Sequence, residues 1–376
     1  MMNCPIVTTY VSQKNQISPL LEAGAEQLIL EDAKISIRCQ DDDYAVDHFE
    51  KIAQLAQSAR SIHSDIILSC QMDLIAHESQ FDLIAKAIEL CQREGLERFR
   101  VQDIGVAQFI IAQYPEAKIT LDTVTGLLNA SAIASVRKSF PQLESLVFSN
   151  EMPAVHMQQI QKVCPGKYEF QVHGHLLTQY SKRNLLRGVV DSQENVIKKY
   201  ATADNRPTQE FLCVDNPHGH FFYFWADKCL LTEMDRLQEL NLSSWIIDVR
   251  GESLDYQVAA IQAYAQKDLA LLSELKALAP RPFKVGFFRA NKTDFIKRAQ
   301  LRRREDNVCG EVLDVVRAKS VLVKVNRSLR LGETLDIKTP NGKSIELEVH
   351  ALQDCWGRDI PSAEPQQLIL IPWKKG

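Results

Sequence analysis

Residues Tyr168–Arg187 read YEFQVHGHLLTQYSKRNLLR, and the interpretation of the whole chain starts from this stretch. Its first part alternates apolar Tyr168, Phe170 and Val172 with polar residues, which is the two-residue period of a β-strand. Gly174 ends the strand, and a polar run follows it. Such a transition is typical of a functional site at the end of a rigid element, although an ordinary solvated loop gives the same pattern. The polar candidates here are His173, His175, Tyr180, Lys182 and Arg183.

Strand-like and helix-like segments alternate on both sides of this stretch. The predicted strands are Pro5–Thr9, Gln27–Glu31, Asp65–Gln71, Arg98–Gln102, Lys118–Asp122, Ser145–Ser149, Glu169–His173 and Ser244–Asp248. The amphipathic segments between them include Val46–Ala59, Gln80–Arg93, Val106–Gln113, Leu127–Val136 and Ala154–Val163. Alternation of this kind implies right-handed crossovers and a parallel sheet covered by helices. We therefore predict the α/β class and a (β/α)8 TIM-like barrel, with a doubly wound open sheet as the alternative.

Three local features complete this first domain. Ser18-Pro19 predicts the start of the first helix, and Tyr256–Leu278 reads as the last one. Residues 176–242 form an insertion between strands 7 and 8, too long for an ordinary loop with one helix, and its polar middle, Asp191–Arg206, is expected to be mobile. Phe211–Trp225 predicts a β-hairpin that turns at Asn216–Gly219.

The predicted domain boundaries follow the composition. Residues 1–280 form the barrel domain, 281–305 form a linker, and 306–376 form a small antiparallel β-barrel. The linker carries a basic run consisting of Lys297, Arg298, Arg302, Arg303 and Arg304. Further basic residues follow in the small domain, namely Lys319, Lys324, Arg327 and Arg330. Together they are compatible with RNA binding, and equally with a solvated charged surface.

Composition excludes several classes of protein. A hydrophobic content of 45% and a charged content of 24% are typical of a soluble globular protein. The net charge of −4 argues against bulk electrostatic binding of nucleic acid, while a local basic patch stays open. The sequence contains neither an apolar run long enough to span a membrane nor a signal-peptide pattern. Nine cysteines without CxxC spacing predict a cytoplasmic location.

Polar residues occur at the ends of most predicted strands. The candidates that we expect to bind substrate are Glu31, Gln102, Asp103, Asp122, His175, Lys182 and Asp248. In a TIM barrel all strand ends of this kind converge on one face, where active sites are built. Acidic groups beside a histidine and Arg250 would shift one another's pKa values, as acid–base chemistry requires.

The central stretch also carries a resemblance to a known family. The pattern E-x-x-V-H-G-x-L, followed by Y-S-x-R, is similar to the signature of peptidase family U32, the collagenase-like peptidases. It is formed here by Glu169, Val172, His173, Gly174, Leu176, Tyr180, Ser181 and Arg183. The segments 101–106 (VQDIGV), 146–153 (LVFSNEMP) and 248–253 (DVRGES) resemble further family motifs. The resemblance also implies relatives that assist oxygen-independent hydroxylation of ubiquinone precursors or RNA bases.

The resemblance raises the question of a cofactor. Members with hydroxylation roles are associated with a [4Fe–4S] cluster, which needs thiolates at nearly all of its corners. This chain has Leu177 and Asn184 where family members usually carry cysteines, Cys229 matches a family position, and Cys213 matches none. We therefore predict no cluster. Zinc is the alternative metal, because two HxH pairs, His173 with His175 and His218 with His220, could each chelate it.

Two functions stay open at this point. The first is a peptidase-like hydrolase for a peptide or small-molecule substrate, with His173 as base and Arg250 as anion anchor. Glu169 and Tyr180 complete the catalytic candidates. No HExxH or GxSxG motif supports this hypothesis. The second is a non-proteolytic accessory or substrate-binding member, related to the hydroxylation proteins, that works without a cluster.

Overall fold

The structure is a computed structural model that describes residues 4–40, 49–123, 126–203, 206–290, 308–316, 318–338 and 344–373. The chain divides into two compact units, Met1–Asn291 and Lys292–Gly376. None of the helices in these described ranges combines the length and the apolar character needed to cross a bilayer.

The first unit is built on parallel strands that pair in chain order. They are β1 (Ile6–Val11), β2 (Gln27–Leu30), β3 (Ile67–Gln71), β4 (Arg98–Val101), β5 (Lys118–Asp122), β6 (Leu143–Val147) and β7 (Lys167–Gly174). The helices between them are α1 (Lys14–Glu22), α2 (Glu50–Ile62), α3 (Phe81–Arg93), α4 (Ile104–Gln113), α5 (Ala130–Ser139) and α6 (Ala154–Val163). Their apolar faces, such as Ile84, Ala87, Ile88 and Cys91 of α3, are buried against the strands.

The predicted insertion follows β7. It contains β8 (Leu177–Ser181), β9 (Ile197–Ala203), β10 (Arg206–Asn216) and β11 (Gly219–Tyr223), which form an antiparallel sheet in the order β8-β11-β10-β9. The hairpin of β10 and β11 turns at Asn216–Gly219 as predicted. The expectation of a mobile middle is wrong for residues 197–203, because β9 pairs along β10. Two further elements, β12 (Asp227–Cys229) and α7 (Met234–Glu239), lead back to the barrel.

The next strand, β13 (Ser244–Asp248), closes the barrel. It pairs in parallel with both β1 and β7, so that the sheet has no free edge among its eight barrel strands. This closure confirms the (β/α)8 prediction and excludes the open sheet. The first unit then ends with α8 (Leu254–Gln266), α9 (Leu272–Leu278) and β14 (Phe283–Lys284), which pairs with β12.

Several helix predictions are wrong in their bounds by three or four residues, such as Leu127–Val136, which is observed as Ala130–Ser139. Two of the differences have a visible cause. α1 begins at Lys14 and not at Ser18-Pro19, because the Gln16 side chain accepts hydrogen bonds from the backbone N–H groups of Ser12 and Gln13 and fixes the earlier start. The predicted helix Tyr256–Leu278 is two helices. Lys267 lies in the left-handed region at φ +55° and ends α8 there.

The second unit is an antiparallel β structure, as predicted. Its strands are β15 (Gly310–Val316), β16 (Ser320–Val325), β17 (Leu329–Arg330), β18 (Thr334–Lys338), β19 (Ser344–Glu348), β20 (Gln353–Asp354), β21 (Ser362–Ala363) and β22 (Leu368–Pro372). They form sheets in the orders β15-β16-β22-β20, β17-β21 and β18-β19 around one apolar core. The basic run 297–304 and the predicted turn at 340–342 lie outside the described residues.

Candidate functional site

The carboxyl ends of the barrel strands bring together a buried cluster of charges. Arg250, just after β13, donates from Nε to Asp248 Oδ1 and from Nη2 to Asp248 Oδ2, both at 2.7 Å. Its Nη1 donates to Glu31 Oε1, just after β2, at 2.6 Å. All three residues are at least nine-tenths buried. The prediction that Glu31, Asp248 and Arg250 lie on one face of the barrel therefore corresponds to a direct contact.

A second guanidinium extends this cluster. Arg38 lies 3.4 Å from Asp248 Oδ2 through Nη1 and 3.7 Å from Asp122 Oδ2 through Nη2. Burial raises the pKa of Asp248, but the charges of Arg250 and Arg38 outweigh it and hold that pKa well below its ordinary value. Burial raises the pKa of Glu31, and the charge of Arg250 and the hydrogen bond from Ser36 offset only part of this rise. Asp248 is thus the firmly ionised partner of the two.

Aromatic rings surround the cluster. The guanidinium carbon of Arg250 lies 3.8 Å from the centre of the Tyr10 ring, a cation–π contact. Burial raises the pKa of Tyr223, on β11 of the insertion, to about 12, so its hydroxyl keeps its proton at neutral pH. The insertion thereby contributes a neutral hydroxyl close to the charges of the barrel.

A cavity of about 280 Å³ opens beside Arg250. Its lining is almost entirely polar and consists of Tyr10, Ser12, Gln13, Gln16, Glu31, Gln40, Lys198, Arg250, Gly251, Glu252 and Gln257. We call it the mouth cavity. Four glutamine amides in one small space provide several hydrogen-bond donors and acceptors that carry no charge. Such a lining suits a small ligand rich in polar atoms.

Glu252 connects the mouth cavity to a buried chain of polar side chains. Its Oε1 lies 2.8 Å from His175 Nε2 and 3.1 Å from Arg281 Nη2. Arg281 Nη2 also lies 2.8 Å from Asp227 Oδ1. The Tyr256 hydroxyl donates to Asp227 Oδ2 at 2.9 Å and lies 3.0 Å from His173 Nε2. The two histidines of the central motif therefore lie at opposite ends of one chain of contacts.

His173 does not lie where the predicted role of base would need it. Its ring is fully buried against Tyr256, Tyr264 and Phe283, in the layer between the barrel and α8. Burial and the nearby His175 lower the pKa of His173 to about 3, so the imidazole is neutral at pH 7. Arg250 lines the mouth cavity and His173 does not, so the structure does not bring these two into one pocket.

Glu169 lies deep inside the barrel. It accepts hydrogen bonds from Arg100 Nη1 and Ser145 Oγ, both at 2.6 Å. It lines a different cavity, of about 380 Å³, at the amino-terminal ends of the strands. The small hydroxyl side chains of Thr120, Ser145 and Ser244 line that cavity, where a typical barrel carries larger branched residues. Glu169 is therefore separated from the mouth cavity along the barrel axis.

The other predicted residues have local partners. Asp103 is the N-cap of α4 and accepts from the backbone N–H groups of Gly105 and Val106. Gln102 donates to the carbonyl of Asp73 at 2.6 Å. Tyr180 donates to the carbonyl of His218 at 2.9 Å, and Lys182 donates to the carbonyl of Ile75. In this structure these four side chains connect elements around the mouth and do not line its cavity.

Several of the residues considered above as metal ligands contact other protein atoms. No group of three or more His, Cys, Asp or Glu side chains in the described ranges has the geometry of a metal site. His218 contacts the carbonyl of Ala33 and His220 contacts Asp215, so this HxH pair is engaged with protein atoms. At the positions corresponding to a cluster, Leu177 offers no ligand, and the Asn184 amide donates to the carbonyl of Asn216. These two side chains supply no thiolate, and the absence of a [4Fe–4S] cluster stays a prediction.

Sequence reasoning missed several residues of the mouth. Tyr10, Arg38, Lys198, Glu252 and Arg281 lie in or against the site without having been singled out. Glu252 had a signal, because it belongs to the DVRGES segment and follows Asp248 by four residues. Arg281 had none, since its partners lie 29 and 54 positions away in the sequence.

Comparison with known proteins decides the family. The model of peptidase family U32 matches residues 12–295, which is most of the chain. The chain belongs to peptidase family U32. The match covers the insertion and the barrel except β1, so the buried chain of contacts and the lining of the mouth cavity apart from Tyr10 lie within it.

The individual proteins that this chain resembles have low sequence identity to it. The tRNA hydroxylation protein P of Escherichia coli (strain K12) is 20% identical over 357 residues, which covers 78% of each chain. Among solved structures, the U32 peptidase Mk0906 is 8% identical, with 67% of this chain and 96% of that chain covered and a TM-score of 0.41. The BexX/CysO complex of Amycolatopsis orientalis is 11% identical, with 75% and 94% covered and a TM-score of 0.39.

Proposed function

We propose that this U32 protein is a non-proteolytic, substrate-binding member related to the RNA-base hydroxylation proteins, and that its mouth cavity holds a nucleobase of an RNA substrate. The observation that carries this proposal is the lining of the cavity, in which four amide side chains lie together with two carboxylates, a guanidinium and a lysine. The similarity to a tRNA hydroxylation protein supports the choice of RNA.

The lining is suited to a base rather than to a peptide bond under attack. Gln13, Gln16, Gln40 and Gln257 offer amide donors and acceptors, which can match the heteroatom edges of a nucleobase. Neither a cysteine nor a histidine is among the described residues that line the cavity. The Arg250 guanidinium is already committed to Asp248 and Glu31 and orders the pocket by fixing these carboxylates.

Two neighbouring lysines provide a matched test. Lys198 of β9 lines the mouth cavity, whereas Lys199 does not. We expect Lys198→Ala to weaken binding of unmodified tRNA about fivefold. The slope of the logarithm of the binding constant against the logarithm of the salt concentration should fall in magnitude by about one. Lys199→Ala should change the affinity less than about twofold. Equal effects of the two variants, or no binding of tRNA by the wild type, would overturn the assignment.

Hydrolysis is the second candidate, and one observation favours it. Glu252 lies in the cavity wall beside His175, and a carboxylate oriented by an imidazole can activate water. If the protein is a peptidase, a peptide library should be cleaved at neutral pH and Glu252→Gln should abolish the cleavage. Cleavage that depends on Glu252, in a protein that does not bind tRNA, would favour this candidate over the first.

Partner and location follow from the same proposal. We propose that the second unit adds affinity for the RNA backbone, which its lysines and arginines support, although Arg327 is already paired with Glu333 at 2.9 Å. We also propose a cytoplasmic location. The odd number of cysteines, nine, and their lack of CxxC spacing support it.

A further inference from the structure

The contacts behind Glu252 can be followed residue by residue, and the donors Tyr256 and Arg281 both approach Asp227. Tyr256 donates its hydroxyl proton to Asp227, so its oxygen must accept from His173, which therefore carries its proton on Nε2. Asp227 in turn forms an ion pair with Arg281, and Arg281 forms a second one with Glu252. The series runs from a neutral imidazole in the helix layer to a carboxylate in the wall of the mouth cavity.

We propose that Arg281 is a positioning residue that fixes the Glu252 carboxylate in the cavity wall, so that the ligand meets Glu252 Oε2 as an acceptor for an N–H group. This inference rests on the proposed function, because it concerns how the same cavity presents its carboxylate to the base. It also gives His173, Tyr256 and Asp227 a role, which is to hold Arg281.

The geometry at Glu252 supports this proposal. His175 and Arg281 approach the same oxygen, Oε1, at 2.8 and 3.1 Å. Among the described residues no hydrogen bond or ion pair involves Oε2, and the Glu252 side chain is 18% exposed where it lines the cavity. A carboxylate that accepts from a guanidinium on one oxygen, with an imidazole against the same oxygen, has its rotation restricted. The other oxygen is then available to an exocyclic amino group or a ring N–H.

Arg281 is held through its Nη2 atom and through its backbone. Its side chain is 5% exposed, and its charge is shared between Glu252 and the fully buried Asp227. Pro280 and Pro282 flank it and restrict the backbone. The Asp227 N–H donates to the carbonyl of Pro282 at 2.9 Å. The strand β14, which begins directly after Pro282, pairs with β12. The guanidinium is therefore fixed by backbone pairing as well as by charge.

The charges around Glu252 define a measurable consequence. Burial raises the pKa of Glu252, but the hydrogen bond and charge of His175, together with the charges of Arg281 and Lys198, hold it below its ordinary value. Removal of Arg281 should raise this pKa, whereas a residue that only fills space would leave it unchanged.

The test uses the full-length chain with Glu side chains labelled with 13C. Arg281→Met alone would leave the buried Asp227 without its ion-pair partner and would destabilise the fold. It is therefore combined with Asp227→Asn, whose amide oxygen can still accept from the Tyr256 hydroxyl. We expect the pKa of Glu252 in this double variant to rise by about one unit, and Arg281→Lys to restore most of the wild-type value. Arg289→Met, which removes an exposed partner of Glu233, is the control and should leave Glu252 unchanged.

Binding of tRNA is measured on the same variants from pH 8 down to about pH 4, a range that includes the ordinary pKa of a glutamate. The double variant should lose affinity at a higher pH than the wild type. The difference between the two pH midpoints should equal the change in the Glu252 pKa that the 13C signal shows. A Glu252 signal that titrates in a well-folded double variant as it does in the wild type would overturn the positioning role. Absence of tRNA binding in the wild type would overturn the proposed function, while the carboxyl titration would still decide the role of Arg281.

Discussion

Asp248 and Arg250, two residues apart at the end of β13, form a two-point ion pair in which both hydrogen bonds are 2.7 Å long. The side chains are 5% and 6% exposed. Because Arg250 also binds Glu31, its charge is shared by two buried carboxylates from strands at opposite ends of the first unit's sequence. This contact explains how the barrel mouth tolerates several acids in a small volume.

Removal of the Arg250 charge should therefore destabilise the fold. We expect Arg250→Met to lower the free energy of unfolding by about 3–5 kcal/mol, because Glu31 would stay buried without its charged partner and Asp248 would keep only Arg38. Urea unfolding followed by circular dichroism measures this quantity. The control is Arg327→Met, which breaks a half-exposed pair with Glu333 and should cost less than about 1 kcal/mol. Equal losses in the two variants would contradict the account of the mouth.

A second buried pair, Arg100 with Glu169, should show coupling. Their side chains are 1% and 6% exposed, so either single substitution, Arg100→Met or Glu169→Leu, leaves a buried charge alone. We expect each single substitution to lower the free energy of unfolding by about 3–5 kcal/mol. The double variant should lose clearly less than the sum of the two single losses. A double-mutant cycle measured by urea unfolding decides this. Additive costs would mean that the two side chains do not depend on each other.

His173 should make stability depend on pH below neutrality. Its folded pKa of about 3 lies under the ordinary value of 6.5, so the unfolded chain binds more protons between these values. Stability from this group is complete above pH 6.5 and falls as the pH drops, by up to about 2 kcal/mol at pH 5. His173→Gln should flatten this fall, whereas the exposed His63→Gln should not. A wild-type free energy of unfolding that is constant from pH 7 to pH 5 would be inconsistent with the buried neutral imidazole.

The sequence predicted the barrel well because its information is local. Each strand and helix carries its own period, and β5, β13, α3 and α6 were located to within a residue at each end. Eight such units are the number that a (β/α)8 barrel contains, so the count itself favoured a closed sheet. Where a local contact overrides the pattern, as Gln16 does at the start of α1, the prediction shifts by a few residues.

The site was less accessible to sequence reasoning. Strand-end acids pointed to Glu31, Asp122 and Asp248 because alternation decides which side chains face the barrel interior. The prediction for His173 was wrong because a register shift between β7 and β13, between Gln171 and His173, interrupts that alternation. Arg281 could not be found at all, since its role depends on a contact with Asp227 that only the folded chain creates.

The central claim is that the mouth cavity holds a base of RNA, and photocrosslinking tests it most directly. Wild-type protein is irradiated with 4-thiouridine-containing tRNA, digested, and the crosslinked peptides are identified by mass spectrometry. The account predicts crosslinks in the peptides that line the cavity, those containing Tyr10 to Gln16 and Gly251 to Gln257. Crosslinks confined to the second unit, with none at the barrel mouth, would contradict it.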